Sequence, residues 1–214
     1  MRHNHARSEL TRRLPRLLLG LVLCGLGIAS MVAADLGLGP WDVLHQGISR
    51  RTSIPIGTVN ILVGLGVLCA WLPLRERPGV GTVCNVVVIG VVIDLTLLVL
   101  TTPDSLVLRT VMMLAGPVLF GVGSGFYIGA GLGPGPRDGL MTGLSRRYRW
   151  PVGPVRAALE LTVLGSGWLL GGTVGAGTVV FALGIGPMVQ FSLRRWGVPD
   201  AAAPQPPPAT RSAR

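Results

Sequence analysis

The stretch GLGPWDVL at residues 37–44 returns 96 positions later as GPGPRDGL at residues 133–140. Extending this alignment outward without a gap pairs residues 17–98 with residues 113–194, and 31 of the 82 pairs are identical. Chance matching in a chain this rich in Gly, Leu and Val would give roughly 10% identity. The chain is therefore an internal duplication, and its best-matched part is a short polar segment.

Apolar segments fill most of the chain. Hydrophobic residues make up 49% of the sequence and charged residues only 13%, whereas a soluble domain carries about 25% charged residues. A helix that crosses a bilayer needs about 20 apolar residues. Six segments have this character: 17–34, 56–74, 80–100, 110–132, 152–170 and 173–193. The sequence therefore predicts an all-α polytopic membrane protein with about six transmembrane helices in two gapless repeats.

The duplication and the composition also predict where the repeats begin and end. We place the first membrane repeat at 14–101 and the second at 110–195. The polar, basic segment 1–13 and the Pro/Ala-rich segment 198–214 are predicted to be disordered tails, because neither can bury enough apolar surface to fold.

The net charge of +10 comes entirely from arginine, since the chain has no lysine. A basic balance can indicate nucleic-acid binding, but these arginines gather at the ends of the predicted spans, as the positive-inside rule describes. We therefore expect membrane lipid rather than nucleic acid as a partner, with oligomerisation possible. The same pattern predicts a multi-pass protein of the bacterial inner membrane with both termini in the cytoplasm.

Each repeat carries a short polar helix after its first span. Pro40 and Pro136 stand at the first helical position, where proline is favoured. Asp42 and Asp138 follow in the first turn, where a carboxylate complements the positive end of the helix dipole. Arginine pairs fall in the last turn. The predicted helices cover residues 40–51 and 136–147.

The path of these short helices determines how the repeats are oriented. If they lie at the surface or re-enter the same face, each repeat crosses the membrane three times and the second repeat is inverted. If they span, there are eight crossings and the repeats are parallel. Charge counting does not separate the two arrangements. Twelve residues that include Asp, His and Gln make a poor lipid-facing span, which favours inverted repeats.

Polar side chains inside the spans are the candidate solute-binding residues, because a charge within a membrane usually faces protein or water. Asp94 lies in the third span. Arg156 and Glu160 lie four residues apart on one face of the fifth. The repeat maps Asn60 onto Arg156 and Asp94 onto Gln190. We predict that these five residues form a site at the repeat interface, with Arg156 and Glu160 facing Asp94 or the repeat axis.

Each of these residues also has a structural explanation. Asp42 and Asp138 could join the solute site at the short-helix N-termini, or they could serve only to cap those helices. Arg156 and Glu160 could form a structural ion pair within one helix. If that pair is buried, removal of one partner is expected to cost about 3–5 kcal/mol.

Enzymatic motifs are missing from the sequence. His45 is the only histidine outside the N-terminal tail, and no HExxH, GxSxG or P-loop pattern occurs. Three cysteines lie inside predicted spans without a CxxC spacing, which indicates small apolar residues rather than a redox or metal site. We expect neither catalysis nor a cofactor nor a metal.

The repeated motifs resemble a known family. Both halves carry Gly-x-Gly-Pro-x-Asp-x-Leu, then Gly-x-Ser and Pro-x-Gly, and the first half adds Asn60. This pattern is similar to that of YczE/YitT-type bacterial integral membrane proteins, over about residues 14–195. The resemblance implies a polytopic inner-membrane protein and says little about a substrate. Trp41 and Arg137, and likewise Asn60 and Arg156, occupy equivalent positions with different chemistry, which argues against strict functional symmetry.

Two functions are compatible with the sequence. A duplicated membrane unit with polar residues inside its spans is typical of secondary transporters, and we take a transporter or permease for a small polar or charged solute as the leading hypothesis. The alternative is a non-transporting membrane subunit that binds a partner protein or lipid through its strips of small residues.

Overall fold

The computed structural model describes residues 2–196, which form eight α-helices joined by short loops. The helices are α1 (Arg2–Ala34), α2 (Pro40–Thr52), α3 (Ile56–Leu74), α4 (Val80–Leu97), α5 (Leu106–Gly129), α6 (Pro136–Tyr148), α7 (Val152–Leu169) and α8 (Ala176–Trp196). The first residues of α2, α3 and α4 each lie 96 positions before those of α6, α7 and α8. Every regular element in the described residues is a helix, which confirms the all-α fold class.

The two short helices form where the sequence predicts them. Each has proline at its start, one aspartate in the first turn and two arginines in the last turn. Ser53 and Arg149 end them in the left-handed conformation, with φ of 58° and 57°. The serine four residues before each of these, Ser49 or Ser145, donates its hydroxyl to a carbonyl at the start of the next segment, at 2.6 Å in both halves.

The first helix differs from the sequence-based expectation. It begins at Arg2, so residues 2–13, which we expected to be disordered, are helical. Ala, Leu, Arg and Glu in this segment are good helix formers, and the helix continues from them through Pro15 into the apolar span. The predicted C-terminal tail, 198–214, lies outside the described residues.

Five of the described helices are long and apolar enough to cross a membrane: α1, α3, α4, α5 and α8. Helix α7 matches the predicted span at 152–170 but is not among them. Arg156 and Glu160 lower its hydropathy, while its equivalent α3 carries Asn60 and Gly64 at the same positions. A helix with two charges needs protein or water beside it.

Helices α1 and α5 meet at the centre of the molecule through glycines. A Cβ atom on Gly20 would lie 2.6 Å from the carbonyl oxygen of Gly123, and one on Gly27 would lie 2.6 Å from that of Gly116. Gly20 is equivalent to Gly116, and Gly27 to Gly123, so the two contacts exchange under the 96-residue shift. The order of the contacts makes the two helices antiparallel, and only glycine allows this backbone approach.

The outer helices pack in the same symmetric way. A Cβ atom on Gly25 of α1 would lie 2.7 Å from the side chain of Val92 in α4. The equivalent glycine of α5, Gly121, would meet Met188 of α8 at 2.7 Å. The first helix of each repeat therefore contacts the fourth helix of the same repeat over a small residue, as close packing between membrane helices requires.

Each short helix packs against the opposite half. In α2, a Cβ atom on Gly47 would lie 2.5 Å from the Gly167 carbonyl of α7. In α6, the Pro136 carbonyl accepts a hydrogen bond of 3.0 Å from the indole Nε1 of Trp71 in α3. Because each short helix contacts the other repeat, the N-termini of α2 and α6 lie near each other at the interface of the repeats.

Candidate functional site

A cavity of about 310 Å³ lies between the N-termini of α2 and α6. Aliphatic and aromatic side chains form most of its wall. Its polar groups come from both halves of the chain: Asp42, His45, Asn60, Asn85, Ser124, Tyr127, Arg137, Asp138, Arg156, Glu160 and Gln190. Six of the seven site residues expected from the sequence therefore line one cavity.

Matching loop contacts hold the two short helices at the cavity. The amide of Gly81 donates to the carbonyl of Leu132 at 2.8 Å, and the amide of Gly177 donates to the carbonyl of Leu36 at 2.8 Å. These are equivalent positions of the two repeats. Each bond ties the start of a fourth helix to the loop that leads into the other repeat's short helix, which fixes both N-termini.

Asp42 lies at the centre of a buried charged cluster. Its side chain is only 3% exposed, and its Oδ1 makes no hydrogen bond. His45 Nδ1 approaches this oxygen to 3.4 Å and Arg137 Nη2 to 3.5 Å. Arg137 also lies over the Trp41 ring, 5.0 Å from its centroid, and donates to Asn60 at 3.4 Å. One guanidinium of the second repeat thus neutralises the carboxylate of the first.

The equivalent carboxylate, Asp138, has a different environment. It lines the cavity, and its Oδ2 accepts a hydrogen bond of 3.3 Å from the hydroxyl of Tyr127. Arg156 pairs with Glu160 on α7 instead, with Nε and Oε1 3.0 Å apart. Among the described residues, Asp138 has no arginine within ion-pair distance.

The two aspartates and the histidine differ in their protonation. Burial disfavours a charged carboxylate, but His45 and Arg137 outweigh it and hold the pKa of Asp42 below its usual value. Burial lowers the pKa of His45, so its ring is neutral at pH 7. Burial raises the pKa of Asp138, and the Tyr127 hydrogen bond offsets this only in part. The pKa values of the two equivalent carboxylates are therefore shifted in opposite directions.

Asp94 does not join the cavity, which corrects the prediction that it belongs to the solute site. Its two carboxylate oxygens accept the backbone N–H of Gly57 at 2.6 Å and the hydroxyl of Thr58 at 2.8 Å. Both donors lie in the first turn of α3, where N–H groups have no partner within the helix. Asp94 therefore fastens α4 to the start of α3. The face of Arg156 and Glu160 points into the cavity rather than toward Asp94.

The Arg156–Glu160 pair also differs from the buried pair we considered. The two side chains are 51% and 35% exposed. An exposed pair at i,i+4 contributes only about 0.3–0.5 kcal/mol, so the larger cost expected for a buried pair does not apply here. The pair that is buried on its acidic side is Asp42–Arg137.

Sequence reasoning missed several cavity residues. In the sequence, Arg137 stands out only because its equivalent in the first repeat is Trp41. In the structure the two side chains contact each other. Tyr127 lies in an apolar span and has no distinguishing spacing. His45 follows Asp42 by three residues, which places both on one helix face. That spacing within the motif was the available signal.

Comparisons with known proteins identify the family of the chain. Residues 11–194 match a family of unknown function, DUF6198. The chain belongs to this family. Among individual proteins, the chain is 42% identical over 177 residues to an uncharacterized protein of Haemophilus influenzae. The match covers 83% of this chain and 81% of that protein. It is 34% identical over 189 residues to the uncharacterized membrane protein YczE of Bacillus subtilis, covering 87% and 88%.

These matches confirm the resemblance to YczE-type membrane proteins, and together with the apolar helices they identify this DUF6198 protein as a membrane protein. A weaker relative is the uncharacterized protein YyaS of Bacillus subtilis, 27% identical over 126 residues. No solved structure matches the chain.

Proposed function

We propose that this membrane protein is a secondary transporter for a small polar or charged solute, which binds in the cavity between α2 and α6. The observation that supports this most strongly is the cavity itself, because equivalent segments of both repeats line it. Transporters built from repeats bind their solute at the repeat interface, at helix ends near the bilayer midplane. A volume of about 310 Å³ is at the lower end of the range for small-molecule sites.

The proposal includes inverted repeats in the bacterial inner membrane. Antiparallel contact of α1 with α5 supports an opposite orientation of the two halves. Asp35, just after α1, lies 3.4 Å from Arg50 in the last turn of α2. This contact supports a short helix that enters and leaves by the same face. Three crossings per repeat and an N-terminus rich in arginine then give two cytoplasmic termini.

The two halves differ in how tightly they are closed, which supports alternating access. In the first half, a Cβ atom on Gly90 of α4 would lie 2.5 Å from the Gly57 carbonyl of α3. A Cβ atom on either of the equivalent glycines of α7 and α8, Gly153 and Gly186, would meet no atom of a neighbouring helix within 4 Å. In an inverted repeat, exchange of these two arrangements moves the opening from one side of the membrane to the other.

Proteoliposome uptake tests the transport function. We expect at least one solute to accumulate when organic cations, amino acids, carboxylates and inorganic ions are screened with and without a proton gradient. Met141→Trp, which fills the cavity, is expected to lower that uptake at least about tenfold. Leu161→Trp is the matched control, because Leu161 is 68% exposed on α7 and does not line the cavity. Absence of uptake for every class would favour the non-transporting subunit.

Cysteine labelling tests the orientation of the repeats. Ser53 and Arg149 are equivalent and exposed, and each ends a short helix. In a background that lacks Cys24, Cys69 and Cys84, we expect a membrane-impermeant maleimide to label Ser53→Cys in spheroplasts. Arg149→Cys is expected to react only after lysis. Labelling of both positions from one side would contradict inverted repeats.

A further inference from the structure

The charges that line the cavity do not balance. Asp42 is neutralised by Arg137, with Oδ1 and Nη2 3.5 Å apart, and Glu160 by Arg156, with Oε1 and Nε 3.0 Å apart. Asp138 is the carboxylate left over, and in the described residues its partner is the uncharged hydroxyl of Tyr127 at 3.3 Å. With both guanidiniums engaged, the side chains that line the cavity carry one net negative charge when Asp138 is ionised.

This imbalance favours a cation as the solute. An anion would add to the excess negative charge, and it would have to displace a carboxylate from an arginine to find a partner. A cation beside Asp138 neutralises the cavity without breaking either existing pair. A charge removed from water is tolerated only when it is paired.

The walls favour an organic cation over a metal ion. Phe120 and Phe181 lie edge to face with their ring centroids 5.6 Å apart, and both line the cavity with Tyr127. Aromatic faces attract ammonium groups, whereas Mg²⁺ and Ca²⁺ need about six or more oxygen ligands. The described residues contain no group of three or more His, Cys, Asp or Glu side chains placed to hold a metal.

We propose that the solute is a small amphipathic organic cation, such as an alkyl or aryl amine, whose positive nitrogen pairs with the carboxylate of Asp138. The apolar part of the solute packs against Phe120, Phe181 and Ile185. The nitrogen and a proton compete for the same carboxylate, so release of one allows the other to bind. This inference rests on the proposed function, because it names the solute of the same cavity.

The competition gives binding a definite pH dependence. Tyr127 from α5, Arg137 from α6, and Arg156 and Glu160 from α7 are the titratable groups that act on Asp138. Burial raises the pKa of Asp138 above its usual value, and the Tyr127 hydrogen bond and the two arginines oppose this only in part. Cation binding is therefore complete above the pKa of Asp138 and is lost as the pH falls through it.

Binding of benzyltrimethylammonium to the purified protein in detergent tests this directly. The probe is permanently charged, so any pH dependence comes from the protein. We expect calorimetric binding that weakens toward acid pH, with neither benzenesulfonate nor the uncharged isostere neopentylbenzene binding. Asp138→Asn is expected to weaken binding at least about tenfold and to remove the pH dependence.

Two further variants keep the test interpretable. Asp104→Asn makes the same change in an exposed loop and is expected to leave binding as in the wild type. Asp138→Glu keeps the charge and is expected to keep the pH dependence, which separates loss of the carboxylate from loss of the fold. The cation proposal is overturned if Asp138→Asn binds as tightly as the wild type, if only the anion binds, or if no organic cation binds.

The outcome for this solute class is separable from the outcome for transport. Uptake of a non-cationic solute without cation binding would overturn the cation proposal and leave the transporter. Cation binding that depends on Asp138, without any uptake into liposomes, would sustain the site and overturn the transport function.

Discussion

Replacing Arg137 with alanine is expected to destabilise the protein by about 3–5 kcal/mol, the cost of leaving a buried charge without its partner. The lower end is the better expectation, because the Arg137 side chain is 30% exposed and water can partly replace it. Water cannot reach Asp42 in the same way, since its side chain is 3% exposed and its Oδ1 makes no hydrogen bond. Unfolding in detergent by a denaturing surfactant measures the effect.

A second substitution and a matched control sharpen this prediction. Asp42→Asn removes the orphaned charge and is expected to recover part of the stability lost in Arg137→Ala. Recovery is incomplete because Arg137 also contacts Trp41 and Asn60. Arg156→Ala breaks an exposed pair and is expected to cost only about 0.3–0.5 kcal/mol. A loss from Arg137→Ala of only about 0.3–0.5 kcal/mol, the size expected for an exposed pair, would show that the Asp42 cluster does not stabilise the fold.

The duplication made much of the fold predictable. A shift of one fixed length aligns the repeats, so each signal is seen twice, and the start of a short helix at Pro40 gains support from Pro136. Helix ends without a turn signal were less predictable. Residues 2–13 have helix-forming side chains but no apolar periodicity, and composition alone did not show that they extend α1.

The site was predictable where polar residues stand out in apolar spans. Asn60, Arg156, Glu160 and Gln190 were found in this way, and all four line the cavity. Asp94 stands out equally, yet it binds the start of α3. Sequence spacing cannot distinguish a polar residue that lines a cavity from a carboxylate that binds a helix N-terminus, because both interrupt an apolar span in the same way. Only the arrangement of α3 beside α4 separates them.

Closure of α7 onto α8 is the second change with a large expected effect. The first half shows the closed arrangement, with Gly57 against Gly90 and the Asp94 carboxylate on the N-terminus of α3. In the second half, Gln190 stands where Asp94 does and lines the cavity. Its amide oxygen can accept one N–H bond, but Pro154 replaces Thr58 and offers no donor. A contact of α7 with α8 would thereby be weaker than that of α3 with α4, as the proposed gate requires.

Disulfide trapping detects that closure without a known solute. Gly153→Cys and Gly186→Cys, without the native cysteines, are expected to crosslink under mild oxidation, because a disulfide needs Cα atoms within about 7 Å. Loss of free thiols and a crosslinked tryptic peptide report the bond. The pair Gly165→Cys and Gly186→Cys is the control, since these positions lie at different levels of α7 and α8. Failure of the first pair to crosslink would rule out closure at these glycines.

A bulky side chain at Gly186 is expected to separate folding from transport. A Cβ atom on Gly186 would meet no neighbouring helix within 4 Å, so Gly186→Leu fits the open arrangement and is expected to leave stability close to that of the wild type. The same side chain prevents α7 from approaching α8 and is expected to stop uptake into liposomes. Gly90→Leu, at the equivalent position of the closed half, collides with the backbone of Gly57 and is expected to lower stability instead. Wild-type uptake by Gly186→Leu would show that α7 and α8 do not form the gate.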